Sequence, residues 1–308
     1  MAASLQKAGL RAEHLSALRL SDLADAEFPP GLFFPVTLYL PDEYGREANV
    51  LAYLEARDFR AVGSTAEVLE LAIDKAALKR RWMAEGIRTA PFAVIGEGGT
   101  PLSEAASLGL SFPLIAKPLR EGNSRGIDAS SILNNYDEMF AKLSSLGRDW
   151  GDALVESYLG GAPDFREFTV ALIGDPVDGL VLPAEIRFEA KGIAGPASKI
   201  VTQAAKDGHM ALASALPRGS LRDRVSSFAA AAFSVAGVRD YARCDIIQAG
   251  GELYAIEING QPMLPDPWFA ACAEAEGLDE KGYLGAIVRA AFERIAASPE
   301  RKALGGSP

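Results

Sequence analysis

The chain has 308 residues, 49% hydrophobic and 23% charged, proportions of a globular protein that set disorder aside. Lys and Arg number 31 against 41 Asp and Glu, a net charge of −10, which argues against a nucleic-acid scaffold because phosphate neutralisation drives such binding. No apolar run reaches about 18 residues, so no membrane span is expected, and the first residues lack the apolar core of a signal peptide.

Residues 4–18 carry apolar side chains at loose helical spacing. Residues 32–40 read as a strand-like run broken by Pro35, and 49–56 as a short helix. Ser64-Thr-Ala-Glu67 is a capping box that opens one long helix, with Val68, Leu71, Ala72, Leu78 and Trp82 as its apolar residues and Gly86 as its stop. Strands follow at 92–95 and 112–116, the second running into Lys117-Pro118. After a loop at 119–126, residues 127–133 read as extended, and 135–146 as a helix boxed by Asn135 and Glu138. Residues 153–158, 165–173 and 179–188 are predicted strands, the second alternating at Phe168, Val170 and Leu172 like a half-buried antiparallel strand. Residues 220–237 give the clearest helix. Residues 241–248 and 252–258 form two strands joined through Ala249-Gly250-Gly251. A helix at 283–297 and a frayed tail from Ser298 close the chain. Antiparallel hairpins dominate the second half, so the expected class is α+β, several small lobes and not one doubly wound sheet.

Cys244 and Cys272 are the two cysteines, with no CxxC, and His14 and His209 the two histidines. A disulfide framework or a His/Cys metal site is therefore not expected, and a cytoplasmic location fits. The chemistry must rest on carboxylates, lysines, arginines and backbone amides.

Turning the last hairpin about its glycines sets Asp245 opposite Glu257 and Arg243 opposite Asn259, all on one sheet face. Cys244, Ile246, Ile256 and Ile258 then face the core. Facing carboxylates have β-carbons about 5 Å apart and repel unless a cation lies between them. Two carboxylates and an amide oxygen suit Mg²⁺, with Mn²⁺ as a substitute; the alternative is a solvated hairpin face. Lys117 ends a buried strand and should emerge over a cleft. The loop Arg120-Glu-Gly122-Asn-Ser124-Arg-Gly126 could cradle phosphate through its amides, or be a plain surface turn. It also reads G-x-S-x-G, the nucleophile elbow of hydrolases, but a strand and not a helix is expected after Ser124. Lys75 lies in a helix, where a lysine alone says little, and Leu154-Val-Glu156-Ser-Tyr158-Leu159 leaves a strand into a glycine turn.

The order of these pieces is more specific than any one of them. Asp74-Lys75, FPLIAKP, the Gly/Ser loop, LVESYL, Arg166-Glu-Phe-Thr-Val170, Arg243-Cys-Asp245 and Ile256-Glu-Ile-Asn259 together resemble the ATP-grasp superfamily, and within it the D-alanine–D-alanine ligase family. The resemblance implies a two-lobe clasp on ATP, with a reduced N-terminal α/β lobe (1–63), a central lobe (64–157), a C-terminal lobe (158–298) and a flexible tail (299–308). It implies that Lys75 and Lys117 contact ATP phosphates, that Glu156, Tyr158 and Leu159 line the adenine pocket, and that Glu167 binds the ribose. It places Asn123 and Ser124 in the loop over the triphosphate and Lys191 near the transferred phosphate. It makes Asp245, Glu257 and Asn259 the magnesium ligands and Arg243 the stabiliser of the tetrahedral intermediate.

The implied activity is an ADP-forming carboxylate–amine ligase working through an acyl phosphate, with a small carboxylate or amino acid and an amine as substrates. D-alanine–D-alanine ligase itself, a catalytically degenerate ATP-binding protein and a serine hydrolase stand beside it. The segments Gly192-Ile-Ala-Gly195 and Gly260-Gln-Pro-Met-Leu-Pro-Asp-Pro-Trp268 depart from the family pattern, and the second puts a Pro/Trp-rich stretch where the family grips the acceptor's carboxylate. The Gly-rich first strand of the family has no counterpart at the start of this chain. Either the N-terminal lobe has diverged or the start of the chain is missing; a missing first strand would leave a sheet edge open, favouring a partner chain, such as a second copy in a homodimer, or loss of stability.

Overall fold

The computed structural model describes residues 1–24, 31–96, 99–101, 104, 109–122, 124–188 and 211–297. Asn123, Lys191, His209 and the tail from Ser298 lie outside them.

The N-terminal region holds α1 (Ala2–Lys7), α2 (Leu20–Ala24), the hairpin of β1 (Tyr39–Pro41) and β2 (Glu47–Asn49), and α3 (Val50–Glu55). The helix expected over 4–18 stops at Lys7, and Gly9, with φ of +82°, follows it. The 32–40 run yields a bridge from Phe33 to Ala61 and then β1, because Pro35 denies the ladder a donor. Asn49 caps α3 through Leu51 N and Ala52 N.

The single helix expected after Ser64 is two. Thr65, not Ser64, caps α4 (Ala66–Ile73), and Asp74 leaves the helical region at ψ of 92° to cap α5 (Lys75–Ala84) through Ala77 N. Lys75 is thus the first residue of a helix and not mid-helix. Trp82 of α5 is fully buried and donates its indole N–H to Ala232 O at 3.0 Å.

A four-stranded antiparallel sheet runs β3 (Phe92–Ile95), β6 (Ala153–Ser157), β4 (Leu114–Pro118), β5 (Ile132–Leu133). The apolar face of α6 (Tyr136–Trp150), Met139, Leu143 and Leu146, covers it. Asn135 caps that helix, while the Glu138 carboxylate accepts from Asn134 N. Residues 127–133 are less extended than their apolar content suggests: Asp128 caps a short 3₁₀ turn at Ala129–Ser131 before the two-residue β5.

A five-stranded antiparallel sheet runs β11 (Glu252–Asn259), β10 (Asp240–Ala249), β7 (Arg166–Gly174), β8 (Leu180–Phe188), β9 (Ala211–Ala215). Period-two alternation splits its faces. Phe168, Val170, Leu172, Ala242, Cys244 and Ile246 pack under α7 (Ser220–Ala236), whose Val225, Ala229, Ala232 and Phe233 form the buried stripe. Ala171, Ile173 and Tyr241 pack under α8 (Pro267–Glu274) and α9 (Glu280–Ala297). Neither β9 nor α8 was legible in the sequence. Past the end of α8 the second face runs on into a cleft against the four-stranded sheet.

Candidate active site

The cleft, about 760 Å³ and open to solvent, is lined by Lys117, Ser124, Glu156, Tyr158, Leu159, Glu167, Asp245 and Glu257, with Phe165, Ile247, Ile256 and Trp268 among its apolar walls. Apolar walls with a few converging charged groups are the lining of a small-molecule site. The four-stranded sheet contributes Lys117 and Glu156 to Leu159; β7, β10 and β11 contribute Glu167, Asp245 and Glu257.

The hairpin delivers its acidic pair by an irregularity. Gly250 and Gly251 form a two-residue turn with φ of +60° and +78°, and Ala249 faces Glu252. Continued regularly, that register would set Asp245 opposite Ile256. A bulge after Ala255 inserts one residue, so Asp245 pairs with Glu257 and Arg243 with Asn259. The expected pairs form, but Ile256 is corrected: it joins the cleft and not the core.

A buried ion cluster forms the cleft floor. Glu156 lies 2.5 Å from Lys117 Nζ through one oxygen and 2.9 Å from Lys79 Nζ through the other. Lys79 is fully buried and donates to Thr89 Oγ1 at 2.6 Å, and Thr89 donates to Ala255 O at 2.7 Å. Burial would raise the Glu156 carboxyl, but the two ammonium groups outweigh it and hold it down at about 2. Burial lowers Lys117, yet Glu156 and then Glu257 reverse the direction and keep it charged, above its ordinary value. Burial lowers both Lys79 and Lys75. Lys75 Nζ donates to the carbonyl of Glu121 and, at 3.5 Å, to that of Leu119, so it ties α5 to the loop after β4. Lys79 was missed, although its position four residues after Lys75 puts both on one helix face.

Thr169 donates to Asp245 Oδ1 at 2.9 Å. Arg243 is buried: its Nη1 lies 2.5 Å from Asp266 Oδ2, its Nε lies 3.6 Å from Asp245 Oδ1, and its guanidinium stands 5.1 Å from the Trp268 ring centre. Burial would lower its pKa, but Asp245 and Asp266 raise it. Asn259 ends β11, and its side-chain oxygen accepts from Gln261 N at 3.2 Å. Among the described residues no three His, Cys, Asp or Glu side chains gather to hold a metal by themselves. Facing carboxylates beside an amide are a partial oxygen set, which fits Mg²⁺ completed by water and phosphate oxygens. Ser124 has φ of +59°, a turn follows it, and the elbow helix a hydrolase needs is not there.

Two antiparallel sheets closing on a cleft floored by lysines and edged by paired carboxylates are the ATP-grasp arrangement. The family described as D-ala D-ala ligase C-terminus matches residues 82–289. The D-alanine–D-alanine ligase of Cupriavidus metallidurans is 29% identical over 289 residues, covering 90% of this chain and 84% of that one. That of Cupriavidus pinatubonensis is 30% identical over 270 residues, 86% and 78% of the two. Among solved structures, the Bacillus anthracis D-alanine–D-alanine ligase complexed with ATP superposes with a TM-score of 0.64 at 22% identity, over 82% of this chain and 77% of that one. The D-Ala:D-Ser ligase VanG of Enterococcus faecalis gives 0.65 at 19%, over 84% and 72%. The chain belongs to the D-alanine–D-alanine ligase family, ATP-dependent carbon–nitrogen ligases. No helix among the described residues is long and apolar enough to cross a membrane.

Proposed function

We propose that this cleft joins a small carboxylate or amino acid to an amine, with ATP converted to ADP and phosphate. The observation that carries the reading is the facing of Asp245 and Glu257 at the cleft edge, across from Lys117. Lys75 and Lys117 take the phosphates of ATP, with Asn123 and Ser124 in the covering loop. Glu156, Tyr158 and Leu159 border the adenine, Glu156 chiefly by anchoring Lys117, and Glu167 takes the ribose. Asp245, Glu257 and Asn259 would hold Mg²⁺, which neutralises phosphoryl charge when bound.

A carboxylate oxygen attacks the γ-phosphorus as the bond to ADP breaks, and ADP leaves with the electron pair. The amine nitrogen then attacks the acyl carbon. The bond to phosphate breaks, phosphate leaves with its electrons, and the extra N–H proton passes to solvent. Arg243 is assigned to the oxyanion of that step, as a fixed cationic donor, and Lys191 to the transferred phosphate. D-alanine, which names the relatives, is the first carboxylate to test, and D-alanine as both substrates is the second reading, favoured by those names alone. The lobes 1–63, 64–157 and 158–298, with 299–308 as tail, belong to the same proposal, supported by the two sheets about the cleft. So does a cytoplasmic site, which suits two free, buried cysteines. A homodimer is proposed on the β1–β2 hairpin, which has no third strand among the described residues; gel filtration tests it.

Asp245→Ala/Glu257→Ala removes a repulsive pair, so the fold should persist. Mg-dependent ATP turnover should fall by about 100-fold or more, the rate equivalent of a few kcal/mol. Unchanged turnover would refute the metal assignment, and AMP with pyrophosphate as products would refute the acyl-phosphate route.

A further inference from the structure

Between β6 and β7 the chain passes from the four-stranded to the five-stranded sheet. Leu159–Gly161 make a 3₁₀ turn there, with Ala162 N donating to Leu159 O at 3.2 Å. A second turn follows, in which Phe165 N donates to Ala162 O at 3.2 Å. Pro163 and Asp164 are its corner residues, and proline's fixed φ suits the first corner. Leu159, Gly160 and Phe165 of this connection line the cleft, as do Ile247 and Ile256 of the β10–β11 hairpin.

Connection and hairpin are tied at the hairpin's turn. Gly250 N donates to Asp164 Oδ1 at 2.8 Å, and Gly251 N donates to Oδ2 at 2.7 Å. Both glycines hold positive φ, so two successive N–H groups form a concavity for an anion, and one carboxylate fills it with both oxygens. Such charge-assisted bonds are stronger than neutral ones. Gln248 Nε2 adds a bond to Asp164 O at 3.4 Å, and Gln248 Oε1 accepts from Arg224 of α7 at 2.9 Å.

Leu159 and Phe165 stand on one of the tied pieces, Ile247 and Ile256 on the other. What fixes the separation of the pieces therefore fixes the spacing of these walls. A nucleotide base is a flat plate that gains dispersion only from walls in contact. A gap of about 0.5–1 Å already forfeits roughly a quarter to a half of each contact.

Resting on the ATP reading above, we infer that Asp164 is a positioning residue of the nucleotide site: by clamping the connection between the sheets onto the Gly250-Gly251 turn, it sets the width of the slot that takes the adenine. Asp164 touches no nucleotide; it acts through Leu159 and Phe165.

The test is binding and not turnover, so it needs neither the carboxylate nor the amine. The full chain with Mg²⁺ is titrated calorimetrically with ATP and with inorganic tripolyphosphate, which carries the phosphates without the base. Asp164→Ala should raise the Kd for ATP roughly five- to tenfold and leave that for tripolyphosphate within about twofold. Asp164→Asn keeps one acceptor oxygen and should fall between the two. Thermal unfolding is followed in parallel. A lowered melting temperature with an unchanged Kd for ATP would make Asp164 a structural tie alone and overturn the inference. An equal loss for ATP and tripolyphosphate would overturn it too, since the slot would not be what changed. In both cases the ATP reading stands. A wild-type chain that binds tripolyphosphate as tightly as ATP would overturn the inference, and one that binds no ATP would overturn both.

Discussion

Glu156 is the residue on which the cleft floor depends. Two ammonium groups without solvent are tolerable only because one carboxylate lies between them. Replacing one partner of a buried ion pair costs about 3–5 kcal/mol, since the other charge stays buried and unpaired. Glu156→Gln leaves two such charges, so a loss at or above the upper end of that range is expected in chemical denaturation at neutral pH. The pH dependence follows from the depressed carboxyl. Its folded value is about 2 against an ordinary 4.5, so its contribution is complete above about 4.5 and lost as pH falls toward 2. The stability gap between wild type and Glu156→Gln should therefore shrink on acidification from pH 5 to pH 3; a gap that stays constant would mean the carboxylate is not held by its lysines. The sequence marks Glu156 and Lys117 as polar residues in apolar strands, but it does not say that they touch. Their partner Lys79 reads as a solvated helix lysine until tertiary packing buries it.

At the scale of elements, the break between α4 and α5 aims Lys75. Asp74 caps the second helix, and its other oxygen meets Arg120 Nη1 at 3.1 Å, in the loop after β4. Asp74→Ala should cost about 0.5–2 kcal/mol in thermal or urea denaturation, the usual loss of an N-cap. It should also raise the KM for ATP, because the helix start and the loop lose the Asp74–Arg120 tie and are left with the Lys75 contacts alone to hold that lysine in place. A variant that loses stability without any change in that KM would make Asp74 a cap and nothing more. The break escaped the sequence reading because the apolar spacing runs on through 68–82, and the cap residue looks like any acidic residue of a helix. The hairpin bulge escaped for a similar reason. A strand's alternation shows which side chains share a face, but a single extra residue is visible only when both registers are known. Here the glycine turn and the acidic pair obey different registers, and the bulge reconciles them.

For the whole molecule, Asp240 fastens the N-terminal region to the C-terminal sheet and helix. It is buried, holds φ of +62°, and binds Arg294 through both oxygens at 2.8 and 2.7 Å. It also accepts from Gly63 N at 2.8 Å, while Arg294 donates to Ala61 O at 2.9 Å. Arg294→Met strands the buried carboxylate and should cost about 3–5 kcal/mol, with new protease cleavage near residues 61–63 well below the melting temperature. Cleavage elsewhere, or a melting temperature unmoved, would show that the N-terminal region is held by its apolar contacts and not by this clasp. These three segments are distant in the chain, and no local pattern announces their meeting.

The amino-acid sequence by itself determined most of the local elements and, through the order of its motifs, the family, whereas the shared face of Arg243, Asp245, Glu257 and Asn259 depends on the bulge after Ala255. Periodicity, caps and glycine turns are short-range physics, and a few residues of context carry them. Only the tertiary structure decided which charges neutralise one another: Lys79 with Glu156, Asp266 with Arg243, Arg294 with Asp240. Those pairings depend on what burial does to a charge, and burial is a property of the assembled sheets and helices, not of any stretch of chain.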